Sequence, residues 1–451
     1  MNISRTNLFV FITLLVIYTA GQFLIGTYNP DNERFIYNAP ADVDFLYYAA
    51  IINSVADHFP PQNPAMAEVK LTQPFIQYYP ATLLAKVVNP YNSIRILNII
   101  YLIIFGLLLY KLFPERYGVA LAVIFASSAF TVNINALGVD LIARGFTHTP
   151  FFILLTIALY AKNTPIRVVS MIFATLINGY MMLVVIPFLI VNAFIKKDRV
   201  SAYLSAAAIA AMIPASLLVS SEAASRPFYF LFADSFALRP AEILKHAAPF
   251  LILSYFVRHR NSFILLILAV IFGSLIHYNP FFPVFLVYFA GAMMLVSGEY
   301  KQPYTGYLVT GFAAVLFIGF IIAGFSKYNP ENRHYFPRYD DRIENAVSWL
   351  KQNTPEDAVI MALTADNNDL GLVMQTRPVY LGYIGHISHL GLDWKPSYDN
   401  SVRLYSGGLI PKGIDYIFYG PVERKYYPGF NLSLDISYRD NNAIIYKVPE
   451  N

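Results

Sequence analysis

Long apolar runs separated by short polar segments fill most of the first 325 residues of this 451-residue chain. A helix needs about 20 apolar residues to cross a bilayer core. Candidate runs fall at 7–27, 94–113, 117–135, 149–161, 166–195, 200–220, 247–257, 262–297 and 305–325. Two of them are too long for one crossing. As a single helix, 166–195 would extend about 45 Å, and Asn178-Gly179 stands at its middle. The run 262–297 is interrupted by His277-Tyr278-Asn279-Pro280, a turn signal. Splitting both predicts about 11 spans and a mainly α, polytopic transmembrane helical bundle. The first run follows Arg5, is long for a signal-peptide core and has no clear small-residue cleavage site after it, so a retained first helix is expected.

Charge placement bears on that division. With the N-terminus cytoplasmic, the short inner segments carry Arg5, Lys111, Arg116, Lys162, Arg167, Lys196, Lys197, Arg199, Arg258, Arg260 and Lys301. The short outer loops carry only Arg144, Arg226, Arg239 and Lys245. This is the positive-inside bias, and it holds only when both long runs are split. The expected location is the plasma membrane, multi-pass, with the C-terminal segment extracytoplasmic.

Two large outer segments remain. The first outer loop, 28–93, is rich in proline and belongs in this division to a transmembrane domain, 1–327. The second, 328–451, has the pattern of a small soluble α/β domain. Positions 340–352 form an amphipathic helix pattern with Ile343, Val347 and Leu350 on one face, stopped by Asn353-Thr354-Pro355. Strands are expected at 358–363, 414–419 and 443–448.

Composition narrows the classes further. Hydrophobic residues make up 57% and charged residues 13%, about half the charged share of a soluble domain. That excludes a disordered chain and argues against an ordinary cytosolic enzyme. A net charge of +4 is too small a bias to point to nucleic acid. The absence of cysteine excludes disulfides, thiolate metal sites and cysteine nucleophiles. Aromatic residues reach 16%, fitting contact with membrane lipids at the bilayer interfaces.

The chemistry-bearing residues gather in the outer segments. In the first loop, Asp42-Val43-Asp44 precedes a helix-like run at 45–55, where an acid serves either as an N-cap or as a base or metal ligand. Further along stand His58, Glu68, Gln77, Tyr78 and Tyr79, either substrate contacts or parts of an ordered interfacial elbow whose prolines forbid a long helix. In the second outer loop, Asp140, Arg144 and His148 recur every four residues, so on a helix they share one face. An acid, a cation and an imidazole there suit a phosphate and a sugar hydroxyl, or else form a surface ion pair of little consequence. Arg226 and Arg239 with Lys245 run against the positive-inside trend and suit an anionic headgroup or diphosphate, or else snorkel. His277 lies at another outer turn. There is no P-loop, G-x-S-x-G, H-E-x-x-H or G-x-G-x-x-G.

Several stretches together resemble the GT-C superfamily of membrane glycosyltransferases, and more closely an uncharacterised prokaryotic branch of it. They are Asp44-Phe45-Leu46-Tyr47-Tyr48, then Phe59-Pro60-Pro61-Gln62-Asn63-Pro64 and Tyr79-Pro80, and Ala143-Arg144-Gly145-Phe146. In the C-terminal segment they are Arg377-Pro378-Val379-Tyr380-Leu381-Gly382-Tyr383-Ile384-Gly385-His386, His389-Leu390-Gly391-Leu392-Asp393, Ile414-Asp415-Tyr416-Ile417 and Gly420-Pro421-Val422-Glu423-Arg424. The resemblance implies a GT-C-like bundle and a catalytic acid in a large first outer loop. It also implies a polyprenyl-phosphate-linked sugar as donor and an extracytoplasmic acceptor (glycan, lipid or protein). Carried across, Asp44 matches the first-loop acid and Arg144 the second-loop cation, with Asp42 a helper or metal ligand. The second loop offers only Asp140 where the oligosaccharyltransferase kind has an acidic pair, which leaves a divalent cation, Mg²⁺ or Mn²⁺, open. His386 and His389 are acceptor-side candidates or structural residues. Two other readings stay open: a transporter or flippase for a lipid-linked sugar, and a non-catalytic GT-C-like membrane protein.

Overall fold

Helices follow the apolar runs. The computed structural model describes residues 5–24, 27–29, 34–36, 43–67, 69–71, 75–116, 119–120, 139–218, 239–275, 281–300, 304, 306–312, 314–315, 318, 341–363, 368–384, 387 and 392–449. The elements begin with α1 (Arg5–Leu24), β1 (Thr27–Asn29), β2 (Arg34–Ile36), α2 (Val43–Asp57), α3 (Tyr79–Ala85), α4 (Pro90–Leu112), α5 (Val139–Tyr160), α6 (Thr164–Ile177), α7 (Gly179–Lys196) and α8 (Arg199–Leu218). They continue with α9 (Arg239–Ser254), β3 (Val257–Arg258), α10 (Arg260–Leu275), α11 (Phe281–Ser297) and β4 (Glu299–Tyr300). The last are α12 (Glu344–Asn353), β5 (Ile360–Met361), α13 (Asn368–Met374), α14 (Lys395–Tyr405), β6 (Tyr416–Tyr419), α15 (Pro421–Tyr426), β7 (Asp435–Arg439) and β8 (Ile444–Lys447). Two compact units divide the chain. The bundle unit comprises Met1–Phe23, Arg95–Leu218 and Arg226–Tyr335; the sheet unit comprises Leu24–Ile94, Val219–Ser225 and Phe336–Asn451.

In the bundle unit, the two long runs are indeed broken. Asn178 has φ −147° and ψ 81°, outside the helical region, and its Oδ1 accepts from the Met181 N–H at 3.2 Å. It thus ends α6 and caps α7. Asn163 caps α6 in the same way, accepting from the Ile166 N–H at 3.1 Å. The run 262–297 contains α10 and α11, with 276–280 outside the described residues. β3, before α10, pairs antiparallel with β4, after α11, with Val257 opposite Tyr300. A single straight helix would hold those strands about 50 Å apart. Their pairing instead requires a chain that turns back.

The same end of the unit collects other segments. Arg116 donates to the Gly298 carbonyl at 3.1 Å and lies 4.2 Å from the Tyr300 ring centroid. Lys196 bonds Asn261. These segments are among those that the charge pattern places on one side.

Helix ends differ from the hydropathy reading. α5 starts at Val139 and passes through Pro150 rather than beginning near 149, and α9 starts at Arg239 rather than near 247. Hydropathy marks where a helix is apolar, not where its backbone ladder begins, and polar residues at an interface extend a helix beyond that stretch. Among the described residues, α4 alone passes as long and apolar enough to cross a membrane; shorter apolar stretches include Thr164–Ile177, Met181–Lys196 and Arg260–Phe272. The expected span at 117–135 lies outside the described residues apart from 119–120.

The sheet unit is built on the order β5-β6-β8-β7. β5 and β6 run parallel, with Ile360 opposite Tyr416, and the other pairs are antiparallel. Parallel neighbours need a crossover, and the intervening chain with α13 and α14 supplies it. Ahead of and within α12, Ile343, Ala346 and Leu350 are buried while Val347 is half-buried. Three expected strands appear in shortened form as β5, β6 and β8. β7 adds a fourth strand to the three expected: its residues, Asp-Ile-Ser-Tyr-Arg, do alternate polar and apolar, but over only two apolar positions, and as an edge strand it leaves Asp435, Ile436 and Arg439 exposed.

Candidate functional site

The first-loop acid sits on a rigid element. Along α2, Phe45, Leu46, Tyr47, Ala49, Ala50, Ile51 and Ile52 are all buried. A short helix apolar on most sides is held by packing rather than by its own propensity. Asp44 is the second residue of this helix, in its first turn, where a carboxylate is favoured by the unpaired N–H groups. The side chain of Asp44 and all of Asp42 lie outside the described set.

What holds α2 is the C-terminal segment of the chain. Gly371 of α13 packs so closely that a Cβ there would run into Leu46 and the Tyr383 hydroxyl. The Gln-Asn-Pro-Ala stretch after α2 then pairs with the Arg-Pro-Val-Tyr-Leu-Gly stretch after α13. The Val379 N–H donates to the Pro64 carbonyl at 3.1 Å, the Ala67 N–H to the Val379 carbonyl at 2.9 Å, and the Gly382 N–H to the Ala65 carbonyl at 2.6 Å. Tyr380 in turn donates to Ile360 of β5, so this first-loop stretch joins the backbone network of the sheet. Asn63 closes the turn, its Oδ1 accepting from the Ala65 N–H at 3.0 Å.

At the far end of α2, roughly 20 Å of helix axis from Asp44, His58 lines a cavity of about 40 Å³ with Asp57, Gln62, Glu356, Gln375 and Arg377. Crowding there raises Asp57 above the ordinary carboxylate range, through burial first and the Glu356 carboxylate second, with His58 and Arg377 pulling the other way. The fold therefore does not bring His58 to the first turn of α2. Tyr79 opens α3, half-buried, edge-on to Phe75 at 6.2 Å. Its neighbour Tyr78 meets Tyr48 of α2 at 6.1 Å.

The remaining sequence-derived residues are divided between the two units. Asp140, Arg144 and His148 all lie on α5, at the spacing that places their Cα atoms along one side; His148 is half-buried, and the side chains of the other two are outside the described set. Arg239 opens α9, its side chain likewise not described, while Arg226 and His277 lie outside the described residues, as do His386 and His389. Sequence reading passed over Arg95. It is 2% exposed near the start of α4, 6.0 Å from the Phe23 ring centroid. The signal was available: a cation inside an apolar run marks a functional candidate by default.

Glu423 stands in the Gly420-Pro421-Val422-Glu423-Arg424 stretch. It is buried, with Oε1 accepting from the Leu363 N–H at 2.8 Å and Oε2 from the Gly420 N–H at 2.9 Å. It thereby ties the ends of β5 and β6 to the start of α15. Burial nevertheless wins over those bonds and pushes its carboxyl up to about 7. The folded state thus holds the proton more tightly than the unfolded chain, whose glutamate titrates near 4.5. The resulting stabilisation is full below about pH 4.5 and is lost as pH rises through about 7. Thermal unfolding of the full chain in detergent is expected to show about 2 kcal/mol less stability at pH 8 than at pH 5. Glu423→Gln should flatten that difference while lowering stability throughout, because its amide nitrogen would face an N–H. An unchanged pH slope in that variant would remove Glu423 as the cause.

Among the described residues no three histidine or acidic side chains stand together so as to hold a metal ion.

No protein-family profile and no curated protein matches the chain. Solved structures do. ArnT from Cupriavidus metallidurans bound to undecaprenyl phosphate superposes with a TM-score of 0.54 at 10% identity, over 98% of this chain and 98% of that one. The apo state of the same protein gives 0.51 at 11% identity, over 97% of each. The chain has the GT-C fold. At such identities the likeness is one of fold. α2, α3 and α12 to β8 belong to the sheet unit, and α5 and α9 to the bundle unit.

Proposed function

We propose that this protein is a multi-pass membrane glycosyltransferase that moves a sugar from a polyprenyl-phosphate donor to an extracytoplasmic acceptor. The observation that carries the reading is the end-to-end GT-C likeness to a protein bound to undecaprenyl phosphate. Fold alone does not fix an activity, so the chemistry has to be argued from residues. Asp44, on the first turn of a buried helix, is the base that takes the proton from the acceptor hydroxyl. Arg144 meets the donor phosphate, with Arg226 and Arg239 as further cations. Negative charge grows on that phosphate as the sugar leaves, so a fixed cation lowers the barrier. Asp140 and His148, on the same helix as Arg144, bind sugar hydroxyls.

The test is a transfer assay on the purified full chain in nanodiscs, offered a panel of radiolabelled polyprenyl-phosphate sugars. Transfer to a glycan, lipid or protein acceptor, or donor hydrolysis in its absence, is the expected result. Failure with every donor, with the donors also failing to bind, would overturn the reading. Donor that binds and crosses the bilayer without bond cleavage would favour a flippase instead.

A further inference from the structure

We infer that Gln375 and Tyr91 are positioning residues for the acid at the start of α2; this rests on the proposed role of Asp44. Phe45, the next residue after Asp44, is fully buried, and its ring stacks on Tyr91 with centroids 5.6 Å apart and planes 10° off parallel. Tyr91 belongs to the first turn of α4. Its hydroxyl donates to Oε1 of Gln375, just after α13. Gln375 is itself fixed at two further points. Its Nε2 donates to the Gly371 carbonyl at 3.1 Å, and its own carbonyl accepts from Asn53 Nδ2 of α2 at 2.9 Å. Gly371 in turn is the residue whose bare backbone lies against Leu46.

The first turn of α2 is therefore held twice from the C-terminal segment. Leu46 rests on Gly371, and Phe45 rests on Tyr91, which Gln375 orients. A helix start is where a backbone most readily frays, because its first N–H groups have no partner within the helix. An acid there keeps one geometry only if its neighbours are clamped. The stack alone would let the Tyr91 ring slide; the hydroxyl bond to Gln375 removes that freedom. Small losses of position at a reacting group are costly, by up to about 100-fold in rate.

The experiment compares Tyr91→Phe, Gln375→Met and Gln375→Glu in the full chain. Hydrogen exchange is read at the amides of residues 47–50, which donate to the carbonyls of the first turn. Steady-state transfer is read alongside it. Tyr91→Phe and Gln375→Met are expected to speed exchange there and to lower kcat roughly tenfold or more, with the donor KM within about twofold. Gln375→Glu keeps an acceptor for the Tyr91 hydroxyl but loses the donor to the Gly371 carbonyl, so it should fall between wild type and Gln375→Met in both. The double variant Tyr91→Phe, Gln375→Met should be no worse than Gln375→Met alone, since that change already breaks the link to Tyr91. Unchanged exchange at 47–50 in both disruptive variants would overturn the inference. So would faster exchange with unaltered kcat. A wild-type protein inactive on every donor would overturn the proposed function instead, and the exchange comparison would still decide whether this pair holds α2.

Discussion

Asp44→Asn is expected to lower kcat for sugar transfer by roughly 10²- to 10⁴-fold with little change in the donor KM. The substitution is nearly isosteric, so α2 and its packing should persist. What is lost is the lone pair that accepts the acceptor's proton as the new glycosidic bond forms. Donor binding, by contrast, depends on the phosphate and the lipid, and Asp44 touches neither in this mechanism. Arg144→Gln should give a different signature. In the proposed mechanism it removes a cation that meets the donor in the ground state and faces more charge as the leaving phosphate develops, so KM should rise and kcat fall together. Arg144→Lys should recover only part, because an ammonium lacks the planar fork that fits phosphate. Rates from single-turnover experiments with labelled donor separate these cases. Full transfer by Asp44→Asn would remove Asp44 as the base.

Arg377→Met is expected to destabilise the sheet unit by about 3–5 kcal/mol. Arg377 stands in a stretch that resembles a family motif, and a solvent-facing arginine there would read as a ligand contact. It is instead 7% exposed and spends its donors on the end of α12. Nε donates to Thr354 Oγ1 at 2.9 Å, and Nη2 donates to the carbonyls of Lys351 at 2.8 Å and Thr354 at 2.6 Å. Nη1 donates to the Thr376 carbonyl at 2.5 Å. A helix C-terminus presents carbonyls with no partner and a partial negative charge, and a guanidinium answers both. Methionine fills similar space and leaves those carbonyls without their donor. Lysine should restore less than half the loss, since three donors on one nitrogen cannot span the same set. Thermal unfolding with hydrogen exchange in α12 measures the effect. Loss of transfer without loss of stability would show that Arg377 works on a ligand.

Much of the bundle was legible from the chain. Asn178 marks a break because a short side-chain acceptor satisfies an orphan N–H locally, and that needs no knowledge of the rest of the fold. The amphipathic pattern ending at Thr354 located α12 for the same reason. Helix starts were less legible: the polar first turns of α5 and α9 are helical but not apolar, so hydropathy stopped short of Val139 and Arg239. Arg95 was hidden by the opposite effect, one cation averaged away among apolar neighbours. β7 escaped because its alternation covers only two apolar positions, Ile436 and Tyr438, too short a pattern to separate an edge strand from a loop.

The sequence by itself determined what each segment can be: which runs are apolar enough for a helical bundle, where they break, and that a mixed α/β pattern follows them. Those are properties of a few adjacent residues, and the backbone's two soft torsions restrict the answers to a short menu. Only the tertiary structure decided who meets whom. Asn53 and Gln375 are 322 residues apart and bonded, Pro64 pairs with Val379, and Phe45 stacks on an aromatic ring that a C-terminal glutamine orients. The entropy of closing so long a loop grows only slowly with its length, so proximity in sequence does not dictate the choice. Complementary surfaces dictate it, a bare Gly371 against Leu46 above all, and those exist only once both partners have folded.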